Sequence, residues 1–177
     1  MKAKDIMHPE DQKAIKMLKK IPFIDDICRV TLEMAHEQIY RGENLAMMVK
    51  VDSTYMPELY QDLKDVTRII DMKMPELFVY NDPEMNAFTF GETNPFICVS
   101  SSLIEKMTRD ERKAILAHEC GHILCQHVLY SIVVETLKMI AENYGIIGTT
   151  MTGPVKLALQ YWSRRSELSA DRCAAAV

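Results

Sequence analysis

The chain has 177 residues, 48% of them hydrophobic, which suggests one domain with a core of its own. Its net charge of -4 gives no electrostatic case for nucleic acid or an anionic membrane as partner. No run of ~18 apolar residues marks a transmembrane helix. The five cysteines, odd in number and unpatterned, follow an N-terminus without an apolar signal run, which points to reduced thiols and a cytoplasmic location.

Residues 9–20 read as a short helix opening at Pro9, and residues 22–42 as a longer one from Pro22 to Arg41-Gly42. Residues 1–44 are therefore expected to form an N-terminal helical segment. Apolar positions Ile24, Ile27, Val30, Leu32, Met34 and Ile39 follow the helical period only loosely. That favours a structural layer on the domain over a docking or propeptide-like arm. Leu45 to Val51 reads as a strand ended by Asp52-Ser53. Pro57 to Ile70 is a helix, with Leu59, Leu63, Val66 and Ile70 as one apolar stripe. Leu77–Tyr80, Asn86–Phe90 and Ile97–Ser100 are three further short strands, with Asn81-Asp82-Pro83 turning the chain after the first of them. Thr108-Arg109-Asp110-Glu111 is a capping box that opens the next helix.

That helix carries His118-Glu119-Cys120-Gly121-His122. Residues four apart differ by about 40° around an α-helix, so His118 and His122 share a face. Both imidazoles can reach one Zn²⁺ at roughly 2.0–2.1 Å. Glu119, about 100° round from His118, falls beside the metal as a base for its water rather than as a ligand. A helix with two satisfied histidines is the bland alternative, and a third ligand would decide between them, since catalytic zinc sites use three. His127 lies about 180° round from His118 on the same helix and is expected to point away, in a structural or supporting role. The spacing lacks the later Gly and His of a metzincin, having Cys125 and Val128 there. Cys120 reads as core packing, and the thirteen methionines as core filler.

After Gly145, Gly148 and Gly153-Pro154 the chain can reverse. A second helical run from near Val155 carries Ser166-Glu167-Leu168-Ser169-Ala170-Asp171. Glu167 and Asp171 share a face, so the Glu can ligate zinc while the Asp holds a ligand histidine from behind.

HECGH followed by SELSAD resembles a gluzincin metallopeptidase, and more narrowly the HtpX-like and CAAX-prenyl-protease-like zinc endopeptidases. Met56-Pro57-Glu58-Leu59-Tyr60, Met74-Pro75-Glu76-Leu77-Phe78-Val79-Tyr80 and Asn86-Ala87-Phe88-Thr89-Phe90-Gly91 are also similar to that family's upstream text, and the likeness is expected to run from about Val49 onward. It implies an α+β, zincin-like fold: a small mixed sheet packed on a zinc-binding helix and a glutamate helix, with N-terminal helices. His118, His122 and Glu167 would hold Zn²⁺, Glu119 would act as base and Asp171 as support. Many members of the family span membranes, whereas the run after the HECGH helix is interrupted here by polar residues.

In the resembled family the strand at Asn86, Ala87, Phe88 and Thr89 lies at the sheet edge beside the metal, where a substrate peptide can add as an extra strand. The plainer alternative is a hairpin strand whose phenylalanines enter the core; one strand can do both, because its side chains alternate faces. The chain stops at Cys173-Ala174-Ala175-Ala176-Val177 with no helix-stop signal. Residues 45–177 are thus expected to be a peptidase domain cut at its C-terminus, short of an oxyanion donor that follows in the family. The expected activity is zinc-dependent endoproteolysis of peptides or unfolded proteins. The rival is a latent or non-catalytic metal-binding module, against which an intact Glu119 argues, since a structural site needs no base.

Overall fold

The computed structural model describes residues 2–20, 26, 47–91 and 94–177, with the side chains of all of these except 132–133 and 135–156. In chain order the elements are α1 (Ala3–Ile6), α2 (Pro9–Leu18), β1 (Met48–Lys50), α3 (Pro57–Ile70), β2 (Glu76–Tyr80), β3 (Ala87–Phe90), β4 (Phe96–Ser100), α4 (Ser101–Lys106), α5 (Arg109–Leu124) and α6 (His127–Ala174). The strands form one mixed sheet in the order β1-β2-β4-β3. The β2–β4 pair is parallel, and β1 and β3 run antiparallel to their neighbours. This is the α+β, zincin-like arrangement. Among the described residues no helix is long and apolar enough to cross a membrane.

Side-chain alternation divides the sheet into two faces. Leu77, Val79, Ile97 and Val99 join the α3 stripe Leu59, Leu63, Val66 and Ile70, and Leu116, Ala117 and Cys120 of α5, in the main core. Phe78, Phe96 and Cys98 face the other way, with Phe88 and Phe90 against them. Proline in its first turn starts α3, and the left-handed Asp71 ends it. The capping box at Thr108 starts α5: Glu111 N–H donates to Thr108 Oγ1, and Glu111 Oε2 accepts from Thr108 N–H at 2.8 Å. Asp62, fully buried on α3, accepts from Arg109 Nε at 2.7 Å and from Arg112 at 3.1 Å. That ion cluster locks the opening turn of α5 onto α3.

Two short helices were not anticipated. The six-residue α4 is too short for a hydrophobic period to show, although Ser100 caps it by accepting from Leu103 N–H; α1 has four residues. The strand expected from Leu45 is Met48–Lys50. The helix expected over 22–42 lies outside the described residues. What is described of the N-terminal segment packs into the domain: Ile6 belongs to the main core, and Ala14 and Leu18 join Tyr130, Leu159 and Trp162 in a second cluster.

Helix α6 is 48 residues long, yet it is not one straight rod. The rings of Tyr130 and Trp162 lie 5.2 Å apart, whereas 32 residues of straight helix would separate them by about 48 Å. The chain therefore doubles back between them, in the part that holds Gly145, Gly148 and Gly153-Pro154. Its returning arm lies against α5 at Gly121. A Cβ built on Gly121 would come within 2.9 Å of Ala170 Cα and 2.9 Å of Cys173 Cβ. On an exposed helix Gly→Ala stabilises by about 1 kcal/mol. Here the overlap with backbone reverses the sign, and Gly121→Ala is expected to destabilise by about 1–3 kcal/mol, measured by urea unfolding of the metal-free protein; a stabilised variant would refute the close approach.

Candidate metal centre

Helix α5 presents His118 and His122 on one face, and the returning arm of α6 brings Glu167 to them. His118 Nε2 is 3.2 Å from Glu167 Oε2, His122 Nε2 is 3.7 Å from Glu167 Oε1, and the two Nε2 atoms are 3.2 Å apart. Two ligand atoms bound tetrahedrally to one zinc at ~2.05 Å sit about 3.3 Å from each other. The observed separations bracket that value, and these three residues are the described group of His, Cys, Asp and Glu side chains that could hold one ion. The donor set, two imidazoles and one carboxylate, is that of a catalytic zinc site. Asp171, one turn beyond Glu167, places Oδ1 3.1 Å from His118 Nδ1, the contact that sets a ligand imidazole's tautomer and angle.

Glu119 lies beside this group without joining it and is buried. Thr89 on β3 donates its hydroxyl to Glu119 Oε2 at 2.7 Å. Burial pushes the Glu119 carboxyl up, opposed by the Thr89 hydrogen bond and by His118. His122 is held down to about 4, first by burial and then by the neighbouring His127, so its ring is neutral and has a lone pair for a metal. The hydrogen bond with His118 holds Glu167 below the ordinary glutamate range and raises His118 in turn.

A cleft of about 320 Å³ opens at these side chains, lined by Ala87, Phe88, Thr89, His118, Glu119, His122, Val128, Ser131 and Glu167. Three of the four strand residues expected to meet substrate thus line it. Asn86 does not: it precedes β3, and its backbone N–H and C=O are both paired with Ser100 of β4. Among the described residues, strand β3 is an edge of the sheet. Its Phe88 and Phe90 pack on Tyr80 and Phe96 while Thr89 points to Glu119, so alternate side chains of the strand face the aromatic cluster and the cleft.

One geometric expectation is overturned. His127 does not lie on the far side of the helix bearing His118. Helix α5 ends at Leu124, Gln126 turns left-handed at φ 58°, and His127 opens α6. The turn swings its ring back, so that His127 Nδ1 is 3.0 Å from His122 Nδ1. Behind it, His127 Nε2 is 3.0 Å from Asp11 Oδ2, and Ser169 Oγ donates to that same oxygen. Burial would raise the Asp11 carboxyl, but the His127 and Ser169 hydrogen bonds outweigh it and hold Asp11 low. No sequence signal marks Asp11, whose partner is 116 residues away.

A sheet, a helix bearing two histidines with a buried carboxylate between them, and a returning helix bearing a glutamate give a metallopeptidase of gluzincin architecture. The chain belongs to peptidase family M48, whose profile matches residues 53–177; members of this family are metal-dependent. It is 32% identical over 174 residues to the plastoglobule-localized metallopeptidase 48 of Arabidopsis thaliana, covering 97% of this chain and 51% of that protein. It is 31% identical over 124 residues to a protease HtpX homolog of Streptococcus pneumoniae, covering 66% of this chain and 42% of that protein. With a protease HtpX homolog of Nitrosomonas eutropha the identity is 40% over 67 residues, 37% of this chain and 23% of that protein. The chain spans about half the length of the Arabidopsis protein and less of the other two. The family profile begins at residue 53, close to the expected Val49, and the Arabidopsis likeness extends into most of the first 45 residues.

The Thr89–Glu119 contact yields a pH prediction. A general base must be deprotonated, so with Glu119 in that role, as proposed below, the acid limb of activity would follow its pKa. Thr89 lowers that pKa. Thr89→Val is therefore expected to move the acid limb of kcat/KM to higher pH while leaving zinc content unchanged. An unmoved limb in a pH–rate series would show that the contact does not tune the base.

Proposed function

We propose that this chain is the catalytic domain of a zinc-dependent endopeptidase, with His118, His122 and Glu167 as ligands and Glu119 as general base. The convergence of those three side chains at zinc-ligand spacing, with a buried carboxylate beside them, carries the reading. Bound there, zinc supplies Lewis-acid chemistry, lowering the pKa of a water and polarising the scissile carbonyl. Glu119 accepts a proton from the attacking water and then delivers it to the leaving amine. Thr89 holds the accepting carboxylate at Oε2, and Asp171 holds His118 from behind.

The substrate is a peptide or unfolded protein segment, laid antiparallel or parallel along the β3 edge at Ala87, Phe88 and Thr89. Backbone pairing of that kind recognises extended chain with little dependence on side chains. We propose a cytoplasmic location, a reading supported by Cys98, Cys120, Cys125 and Cys173, which are buried and free of disulfides. The rival, a latent or non-catalytic metal-binding module, has less support: such a site needs no base, and Glu119 stands where one works.

Glu119→Gln is expected to keep stoichiometric zinc and lose activity on a casein or peptide-library substrate by about 10²–10⁴-fold. His118→Ala, His122→Ala and Glu167→Ala should each abolish stoichiometric zinc. Asp171→Asn should weaken zinc binding by about 10–100-fold. Normal turnover in Glu119→Gln, or full zinc content in Glu167→Ala, would overturn the assignment; a wild type that binds zinc but cleaves nothing would favour the non-catalytic reading.

A further inference from the structure

We propose that Asp11 and His127 are positioning residues of the metal centre, with Asp11 on the N-terminal helix fixing, through His127, the proton and the orientation of the His122 ring. The inference rests on the proposed role of His122 as a ligand through Nε2.

The direction of the hydrogen bonds follows from both ends of the chain of groups. At the metal end, Nε2 must offer its lone pair, so the neutral His122 ring carries its proton on Nδ1. Nδ1 is 3.0 Å from His127 Nδ1, which must then accept. His127 is left with its proton on Nε2, facing Asp11 Oδ2 at 3.0 Å. At the far end the same tautomer is required independently. A bare Nε2 lone pair set against a carboxylate oxygen would be repulsive, whereas Nε2–H gives a charge-assisted bond. One arrangement satisfies both ends: His122 Nδ1–H to His127 Nδ1, and His127 Nε2–H to Asp11.

The surroundings hold this arrangement in place. Asp11 and His127 have 0% exposure. The His127 ring sits edge-on to Trp162 and to His122. Asp11 Oδ2 also accepts from the Ser169 hydroxyl, whose oxygen accepts from His8 N–H at 2.9 Å. Ser169 lies between Glu167 and Asp171 on the returning arm of α6. One buried carboxylate therefore ties together the N-terminal helix, the first turn of α6 and the segment that carries the third ligand. The two histidine ligands differ in this respect: His118 meets its carboxylate directly, at the exposed Asp171, while His122 reaches one only through a second, buried imidazole. Groups behind a ligand histidine set its tautomer and basicity, and losing them typically lowers metal affinity about 10–100-fold.

Two measurements on the 177-residue protein test this. In the zinc-loaded wild type, long-range ¹H–¹⁵N correlation of the histidine rings should show His122 protonated at Nδ1 and His127 at Nε2. Zinc affinity, measured by competition with a chromophoric chelator, should fall about 10–100-fold in Asp11→Asn and in His127→Phe. The double variant should bind no more weakly than the weaker single, because both residues act along one path. Helix packing alone would make the two losses add and would set no tautomer. A His127 ring protonated at Nδ1, unchanged affinity in both folded variants, or additive losses would overturn the inference while leaving the metal centre intact. A wild type that takes up no stoichiometric zinc would overturn the proposed function and this inference with it.

Discussion

The metal centre depends on how closely two helices approach. The returning arm of α6 comes so near α5 that Gly121 has no room for a methyl group. Gly121 sits between His118 and His122 in sequence, and Ala170, its contact, lies about one helical turn beyond Glu167. The spacing at that contact therefore sets the 3.2 Å and 3.7 Å separations between the glutamate and the two imidazoles. Any larger residue at 121 would push the returning arm away, and no side-chain rotation could relieve the clash, since it meets Ala170 Cα and Cys173 Cβ, atoms that do not move with a rotamer. A glycine that looks like a variable position inside the H-E-x-x-H pattern is thus a packing requirement for bringing Glu167 to the two histidines.

Two buried carboxylates then hold the assembly from opposite ends. Asp62 on α3 receives Arg109 and Arg112 and fixes where α5 begins. Asp11 on α2 receives His127 and Ser169 and fixes where α5 gives way to α6 and where α6 returns. Both have 0% exposure, and a buried charge is tolerable only when it is paired and hydrogen-bonded. Each cluster is thus an all-or-none constraint on position. The N-terminal helix, which periodicity marks only as a layer on the domain, turns out to supply one of the two anchors.

The parts legible in the sequence are those with a local cause. Pro57 and the Leu59-Leu63-Val66-Ile70 stripe gave α3 both its ends; the Thr108–Glu111 box gave the start of α5; the two histidines four apart gave the shared face. Glu167 and Asp171 were visible because a glycine-rich stretch allowed reversal and the two acids share a helical face. The direction of His127 was not legible, because α5 stops without Gly, Asn or Pro. Gln126 takes the left-handed conformation that such a residue rarely adopts, and a helical wheel continued through it puts the ring on the wrong side. Nor could Asp11 be found: its partners, His127 and Ser169, lie over a hundred residues away, and no periodicity encodes a contact at that separation.

Strand β3 links the chemistry to the sheet. Its Thr89 hydroxyl fixes the Glu119 carboxylate at 2.7 Å, and its backbone edge is where an extended peptide would pair under the proposed function. Base and substrate would then be positioned by the same four residues. A shift of the strand would carry both together, keeping the distance from base to scissile bond nearly constant. The opposing influences on Glu119 fit that role. Burial raises the carboxyl's pKa and so its basicity, as a general base requires. Thr89 and His118 pull against burial, and under the proposed function the residue that tempers the base would sit on the same strand edge where the peptide pairs.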